Sequence, residues 1–205
     1  SGSSMHTHQS LWKGGKPLAP SQGAWDTLGP SAVPFGEYPA PRAMTVAQIE
    51  ATVEDFRKSA KLALAAGFDV VEVHGAHGYL LHSFCSPLSN LRTDEWGGSL
   101  DNRLRIPLAV ARAVREAWPS RLPLFVRISA TDWAPGGWDL PQSIELSRRF
   151  KEIGVDLVDC SSGALGSGVR IPVGPGYQVP CAEAMRREAG HATGAVGTVA
   201  GARHA

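Results

Sequence analysis

Cysteine is scarce in this chain: Cys85, Cys160 and Cys181 are all it has among 205 residues. They are odd in number, far apart and lack a C-x-x-C pair, which argues against a disulfide framework and against a thiolate zinc or iron–sulfur site. That usage suits a reducing compartment, and the cytoplasm is the expected location. An excess of either charge is lacking too, since 20 Lys+Arg stand against 19 Asp+Glu for a net charge of +1. Neither a nucleic-acid groove nor an anionic membrane surface is implied, so no nucleic-acid and no membrane partner is expected. No apolar run approaches the ~20 residues of a membrane span. The start has no charged-then-apolar leader profile, and Ser1 to Ser4 read as a vector scar or a spurious start.

What is present suits one ordinary core: 43% of residues are hydrophobic and 19% charged. There is no internal repeat. Residues 1–43 form the first expected segment, an irregular Pro/Gly-rich loop, because Pro17, Pro20, Pro30, Pro34, Pro39 and Pro41 deny it any long helix or interior strand. His6 and His8 in that segment read as incidental rather than as metal ligands. Residues 44–205 form the second segment, a partial (β/α) barrel domain.

Helices and short apolar runs alternate through that second segment. Thr45 and Gln48 match a capping box, and Val46, Ile49, Val53, Phe56, Ala60 and Leu64 recur at helical spacing until Gly67 closes the helix. A buried strand is expected over Phe68 to His74, with Val70, Val71 and Val73 as its apolar run. A helix follows over about Asn102 to Trp118, with Pro107 either in its first turn or kinking it. Leu124 to Ile128 is the next strand, and Asp139 is a candidate cap for a helix over about Gln142 to Ile153 that ends at Gly154. Val155 to Cys160, a short helix over about Ala182 to Ala189 and a strand His191 to Val196 complete the series. Such alternation defines a parallel α/β protein whose right-handed crossovers curl toward a barrel.

Functional information concentrates between Asp69 and Ser99. A strand ends at His74, and His77, Tyr79 and His82 follow within a few residues, on the edge where α/β barrels build active sites. The string HGAHGYLLHSFCSPLSNLRTDEWGGSLDNR from His74 to Arg103 closely resembles the old yellow enzyme family of FMN-dependent ene-reductases, in its thermophilic-like branch. FVRIS at Phe125 to Ser129, DCSSG at Asp159 to Gly163, and GYQVP with ATGAVG further on fit that family in the same order. The resemblance runs from about Trp12 to the last residue.

From the residues alone, His74 and His77 flank small Gly75 and Ala76, so two imidazoles can share one cavity and bind a developing oxyanion. Tyr79 adds a phenol able to deliver a proton. An isolated H-x-x-H-x-Y more readily reads as satisfied polar residues at a strand end, and the flanking resemblance reverses that preference. It implies that the histidines hold the carbonyl oxygen of an α,β-unsaturated substrate while Tyr79 protonates the α-carbon after reduced flavin gives hydride to the β-carbon. A zinc site is the rival, but no carboxylate or cysteine lies at a convincing ligand spacing. His82 reads as structural. Arg127 inside the apolar LFVRI needs an anionic or polar partner; the resemblance sets it against the flavin N1 and C2 carbonyl, and the alternative is a salt bridge, with Asp132 as candidate. Gly197 is implied as a backbone neighbour of the FMN phosphate, although glycine is common at strand ends.

Two other stretches read as architecture. Ser89 to Arg103 combines Gly97 and Gly98 for a tight turn, Ser99 or Asp101 as a cap, and Arg92, Asp94 and Arg103 as local pairs. GALGSG from Gly163 to Gly168 is not followed promptly by a helix and is not a dinucleotide fingerprint.

Only four strands can be counted, whereas a closed barrel of this type has eight in about 250 residues. The expected fold is therefore α/β, a partial TIM (β/α)8 barrel holding about strands four to seven with their helices. Three functional readings follow. The first is FMN-dependent, NAD(P)H-driven reduction of an enone-type small molecule; the second is a catalytically silent fragment of such an enzyme. The third is a half barrel that works only when paired with itself or with a complementary chain.

Overall fold

The computed structural model describes residues 27–199, together with the backbone of 12–13 and 16–17. His6 and His8 lie outside the described residues. Two short pairings come first: β1 (Trp12–Lys13) runs antiparallel to β2 (Lys16–Pro17), and β3 (Leu28–Gly29) runs parallel to β4 (Arg42–Ala43). Between β3 and β4 the chain is turns and bends, as six prolines in the first 43 residues require.

The helix α1 (Val46–Ala65) starts at the capping box: Gln48 N–H donates to Thr45 Oγ1 at 3.2 Å, and Thr45 N–H donates to Gln48 Oε1 at 2.9 Å. After it come β5 (Val71–Gly75), α2 (Leu80–Cys85), α3 (Leu100–Ala117), β6 (Leu124–Ser129), α4 (Leu140–Ile153), β7 (Leu157–Ser161), α5 (Val179–Ala189) and β8 (Thr193–Ala195). Asp139 caps α4 through Gln142 N–H, and Gly154 closes it at φ 91°. Ser99, rather than Asp101, caps α3.

One parallel sheet organises the molecule, in the order β5-β6-β7-β8. Sequential order with a helix in each connection is the repeating unit of a (β/α) barrel. One sheet face carries Val73, Val126, Ile128, Val158 and Cys160, all buried in a single core with Leu104, Val110, Ile144, Leu146, Phe150 and Met185 from the helices. Burying several such side chains at roughly 1.5–3 kcal/mol each holds the layers together.

Three expectations need correction. The apolar run opening β5 is not buried throughout: Val73 is, but Val70 and Phe68 are exposed, and the strand begins at Val71 and extends to Gly75. Among the described residues β5 pairs on one side only, so its start lacks a covering neighbour. Of the two placements expected for Pro107 the first turn is excluded, because it sits in the interior of α3; Ile106, Pro107 and Leu108 are all buried, and that packing offsets the hydrogen bond a proline cannot give. The six-residue α2, finally, falls between His74 and Asn102, where the spacing predicts no helix.

Candidate functional site

Alternation along the strands leaves a second sheet face, turned away from the helices, whose side chains are polar apart from Phe125 and Leu157. The parallel register aligns His74 with Arg127, Arg127 with Asp159 and Asp159 with Gly194, one row across all four strands. Arg127 Nη1 lies 3.5 Å from Asp159 Oδ2, while Arg127 Nε is buried with no hydrogen-bond partner. The salt bridge to Asp132 expected as an alternative is absent, because Asp132 belongs to a different cluster. Glu72 sits on the same face, two residues before His74. Burial raises its carboxyl pKa, the Asp159 charge raises it further, and Arg127 opposes both.

Above this row the chain turns through His77 at φ 60° and Gly78 at φ 74°. Each amide of the turn has a partner: His77 N–H donates to Ser129 Oγ at 2.9 Å, Gly78 N–H to His82 Nδ1 at 2.9 Å, and Tyr79 N–H to Ala76 O at 3.2 Å. Glycine is required at 78, since an added Cβ would lie 2.4 Å from the Ala164 carbonyl oxygen. The turn carries its side chains back over the sheet. The His77 ring lies 5.2 Å from that of His74, and the Tyr79 ring 5.4 Å from the same histidine. Tyr79 is 61% exposed, so its hydroxyl is open to a molecule arriving from solvent.

His77 also reaches across to the ends of two further strands. Its Nε2 is 2.7 Å from Ser161 Oγ at the end of β7. The Ser161 and Ser162 hydroxyls both donate to Gln178 Oε1, and Gln178 Nε2 donates to the Val196 carbonyl beyond β8. Burial lowers the His77 pKa to about 4, helped by the charges of His74, Arg127 and His82. At neutral pH this imidazole is therefore uncharged and offers a single N–H.

Gly197 follows Val196 at φ 99°; a Cβ there would come 2.6 Å from Tyr177 Cε1 and 2.8 Å from Gln178 Nε2. Its neighbours within the protein are thus enough to require glycine. The structure brings His74, His77, Tyr79 and Arg127 to one end of the sheet and links Gly197 to them through Gln178. Asp159, Ser161 and Gln178 escaped the sequence reading. Asp159 and Ser161 lie within DCSSG, and their positions opposite Arg127 and Ser129 follow once strand register is known.

A second cluster lies behind the turn. His82 and Asp132 are each 1% exposed, with Nε2 and Oδ1 2.8 Å apart. Asp132 Oδ2 accepts from Ser86 Oγ at 2.6 Å and from Trp138 N–H at 2.7 Å. Burial raises the Asp132 pKa, but His82, Ser86 and Trp138 together bring it below the ordinary carboxylate value. In the next loop Arg92 pairs with Asp94 as expected, and Arg103 pairs locally through Nε with the Gly98 carbonyl at 3.2 Å while also donating to the Cys85 carbonyl and to Gln142 Oε1. Among the described residues no group of three His, Cys, Asp or Glu side chains could hold a metal ion.

A parallel sheet in sequential order, with its polar cluster where the strands end, defines a segment of a (β/α) barrel. The chain belongs to the NADH:flavin oxidoreductase / NADH oxidase family, whose profile matches residues 8–205. An NADPH dehydrogenase of Geobacillus thermodenitrificans (strain NG80-2) is 54% identical over 175 residues, 85% of this chain and 51% of that protein. One of Bacillus subtilis (strain 168) is 49% identical over the same length and coverage. Among solved structures, a 2-naphthoyl-CoA reductase complex superposes with a TM-score of 0.80 at 26% identity, over 95% of this chain and 30% of that one. Morphinone reductase in complex with tetrahydroNAD gives 0.66 at 27%, over 83% and 49%. The chain spans about half the length of the curated relatives it matches.

Proposed function

We propose that this chain carries the substrate-orienting and proton-donating side of an FMN-dependent reductase of activated C=C bonds. The observation that carries the reading is the convergence of His74, His77 and Tyr79, with rings 5.2 and 5.4 Å apart, over the row that holds Arg127. His74 and His77 orient a carbonyl oxygen and stabilise negative charge as it develops there. For His77 this means exchanging partners: its Nε2–H leaves Ser161 Oγ for the incoming oxygen, and Ser161 keeps its bond to Gln178. Tyr79, exposed beside His74, delivers a proton to the α-carbon.

The residues present fit a flavin at its pyrimidine end. Arg127 has a buried Nε with no acceptor, and its guanidinium is tethered on one side only, by Asp159. A planar ring bearing N1 and a carbonyl supplies the missing acceptor, and a fixed cation there favours the reduced, anionic ring. Gly197, beside Tyr177, is proposed to face the phosphate by its backbone. When bound, FMN supplies the hydride chemistry and NAD(P)H renews it; relatives named NADPH dehydrogenase favour NADPH. Three cysteines that are free and buried suit a reducing compartment such as the cytoplasm. No helix among the described residues is long and apolar enough to cross a membrane.

The length of the relatives favours a second reading, a segment that keeps the orienting residues but is silent alone or needs a complementary chain. Adding FMN, removing free cofactor by gel filtration and recording the visible spectrum separates the two. A retained flavin that NADPH bleaches and an enone reoxidises supports the autonomous enzyme, with turnover lost in His74→Ala and Tyr79→Phe. A colourless chain sinks it.

A further inference from the structure

We propose that His82 is a positioning residue that latches the turn carrying His77 and Tyr79, and that it does so through one hydrogen bond, from Gly78 N–H to His82 Nδ1. Gly78 lies between the two residues the turn presents, so fixing its amide fixes the peptide plane that joins them. The bond is 2.9 Å long and belongs to a buried ring. The ring is backed by a carboxylate: Nε2 lies 2.8 Å from Asp132 Oδ1, close enough for an ion pair but not aligned as a hydrogen bond, and Asp132 is anchored by Ser86 Oγ and Trp138 N–H. Gly137 leaves room for that carboxylate, since a Cβ there would lie 2.7 Å from Asp132 Oδ2.

The two faces of the ring dictate its proton. Nδ1 receives an N–H and must present a lone pair, so the proton sits on Nε2, on the side of the ring where Asp132 lies. A histidine in this tautomer does two jobs that its amide substitutes separate. Asn places an acceptor where Nδ1 is but falls short of Asp132; Gln places a donor where Nε2 is but leaves Gly78 N–H without an acceptor. A residue that serves only packing would respond alike to both changes. A latch acting through Gly78 distinguishes them.

The consequence for chemistry rests on the proposed roles of His77 and Tyr79; the latch itself does not, and it is tested without flavin. In 15N-labelled wild-type chain, a scalar coupling across the hydrogen bond between the Gly78 amide nitrogen and His82 Nδ1 is expected, with the His82 proton on Nε2. A protonated Nδ1, or no coupling, overturns the proposal whatever the variants do. Amide exchange at Gly78 then reads the latch in the variants: at least tenfold faster in His82→Gln, and within about threefold of wild type in His82→Asn. The Tyr79 and His77 ring resonances are expected to shift in Gln and hold in Asn. Equal exchange in the two variants overturns the proposal even if both lose thermal stability. Should the chain retain no flavin, the function fails and these readouts still decide the latch.

Discussion

At the scale of single residues, His77 ties the site to pH. Its ordinary value of 6.5 falls to about 4 in the fold, burial being the main cause and the charges of His74, Arg127 and His82 the rest. The native state thus binds fewer protons than the unfolded chain between those values. Stability from this residue is complete above pH 6.5 and is lost as pH falls toward 4. Glu72 works in the opposite sense, since a raised carboxyl pKa weakens the fold as pH climbs through its titration. Comparing urea denaturation of wild type and His77→Gln across pH 4 to 7 isolates the histidine: the variant should lose the slope between 6.5 and 4. An unchanged slope would show that the ring is solvated. Arg127 supplies a second residue-level prediction, because it alone opposes the factors that raise Glu72. Arg127→Leu should move the Glu72 titration higher still, read from its carboxyl carbon shift. A downward move would mean that the Arg127 charge does not act on Glu72.

At the scale of elements, local signals were legible and long-range partners were not. The capping box at Thr45 and Gln48, the Asp139 cap and the Gly154 stop were all readable because each is settled within a few residues. Thr45→Ala should therefore cost about 1 kcal/mol, seen as a lower urea midpoint with an unchanged m-value. Helix α2 was not readable, since six residues hold too little periodicity to show a face. Nor were the pairs Arg127–Asp159 and His82–Asp132, which join residues on different elements and need the arrangement of the sheet before they can be named. Yet the turn after β5 was legible in part, through its glycines. Gly78 has φ 74° and the Ala164 carbonyl 2.4 Å from where a Cβ would stand. Gly78→Ala should cost about 2 kcal/mol or more, from backbone strain of roughly 1–3 kcal/mol together with steric overlap. Gly98→Ala is its control: φ is 78° there, but nothing lies within 4 Å of the added carbon, so only the strain remains. Equal losses at the two positions would remove the contact with Ala164 from the account.

At the scale of the whole molecule, the sheet has two kinds of strand. β6 and β7 are paired on both sides, whereas β5 and β8 each have one neighbour among the described residues. In a parallel ladder the amides of a strand point alternately to its two sides, so a strand flanked twice satisfies all of them and an edge strand only every other one. Hydrogen exchange should therefore be uniformly slow through Leu124–Ser129 and Leu157–Ser161, and alternate between slow and fast through Val71–Gly75 and Thr193–Ala195. The measurement bears on function as well as on fold. A chain about half the length of its relatives holds His74, His77, Tyr79 and Arg127 at one end of its sheet, and the FMN site proposed there would draw on neighbours beyond β5 and β8 as well. Uniformly slow exchange in β8 would overturn the open-edge description and show the sheet continuing past it, in this chain or a second one. Alternating exchange that becomes uniform when FMN is added would place the cofactor's effect at the strand edges and couple its binding to closure of the barrel.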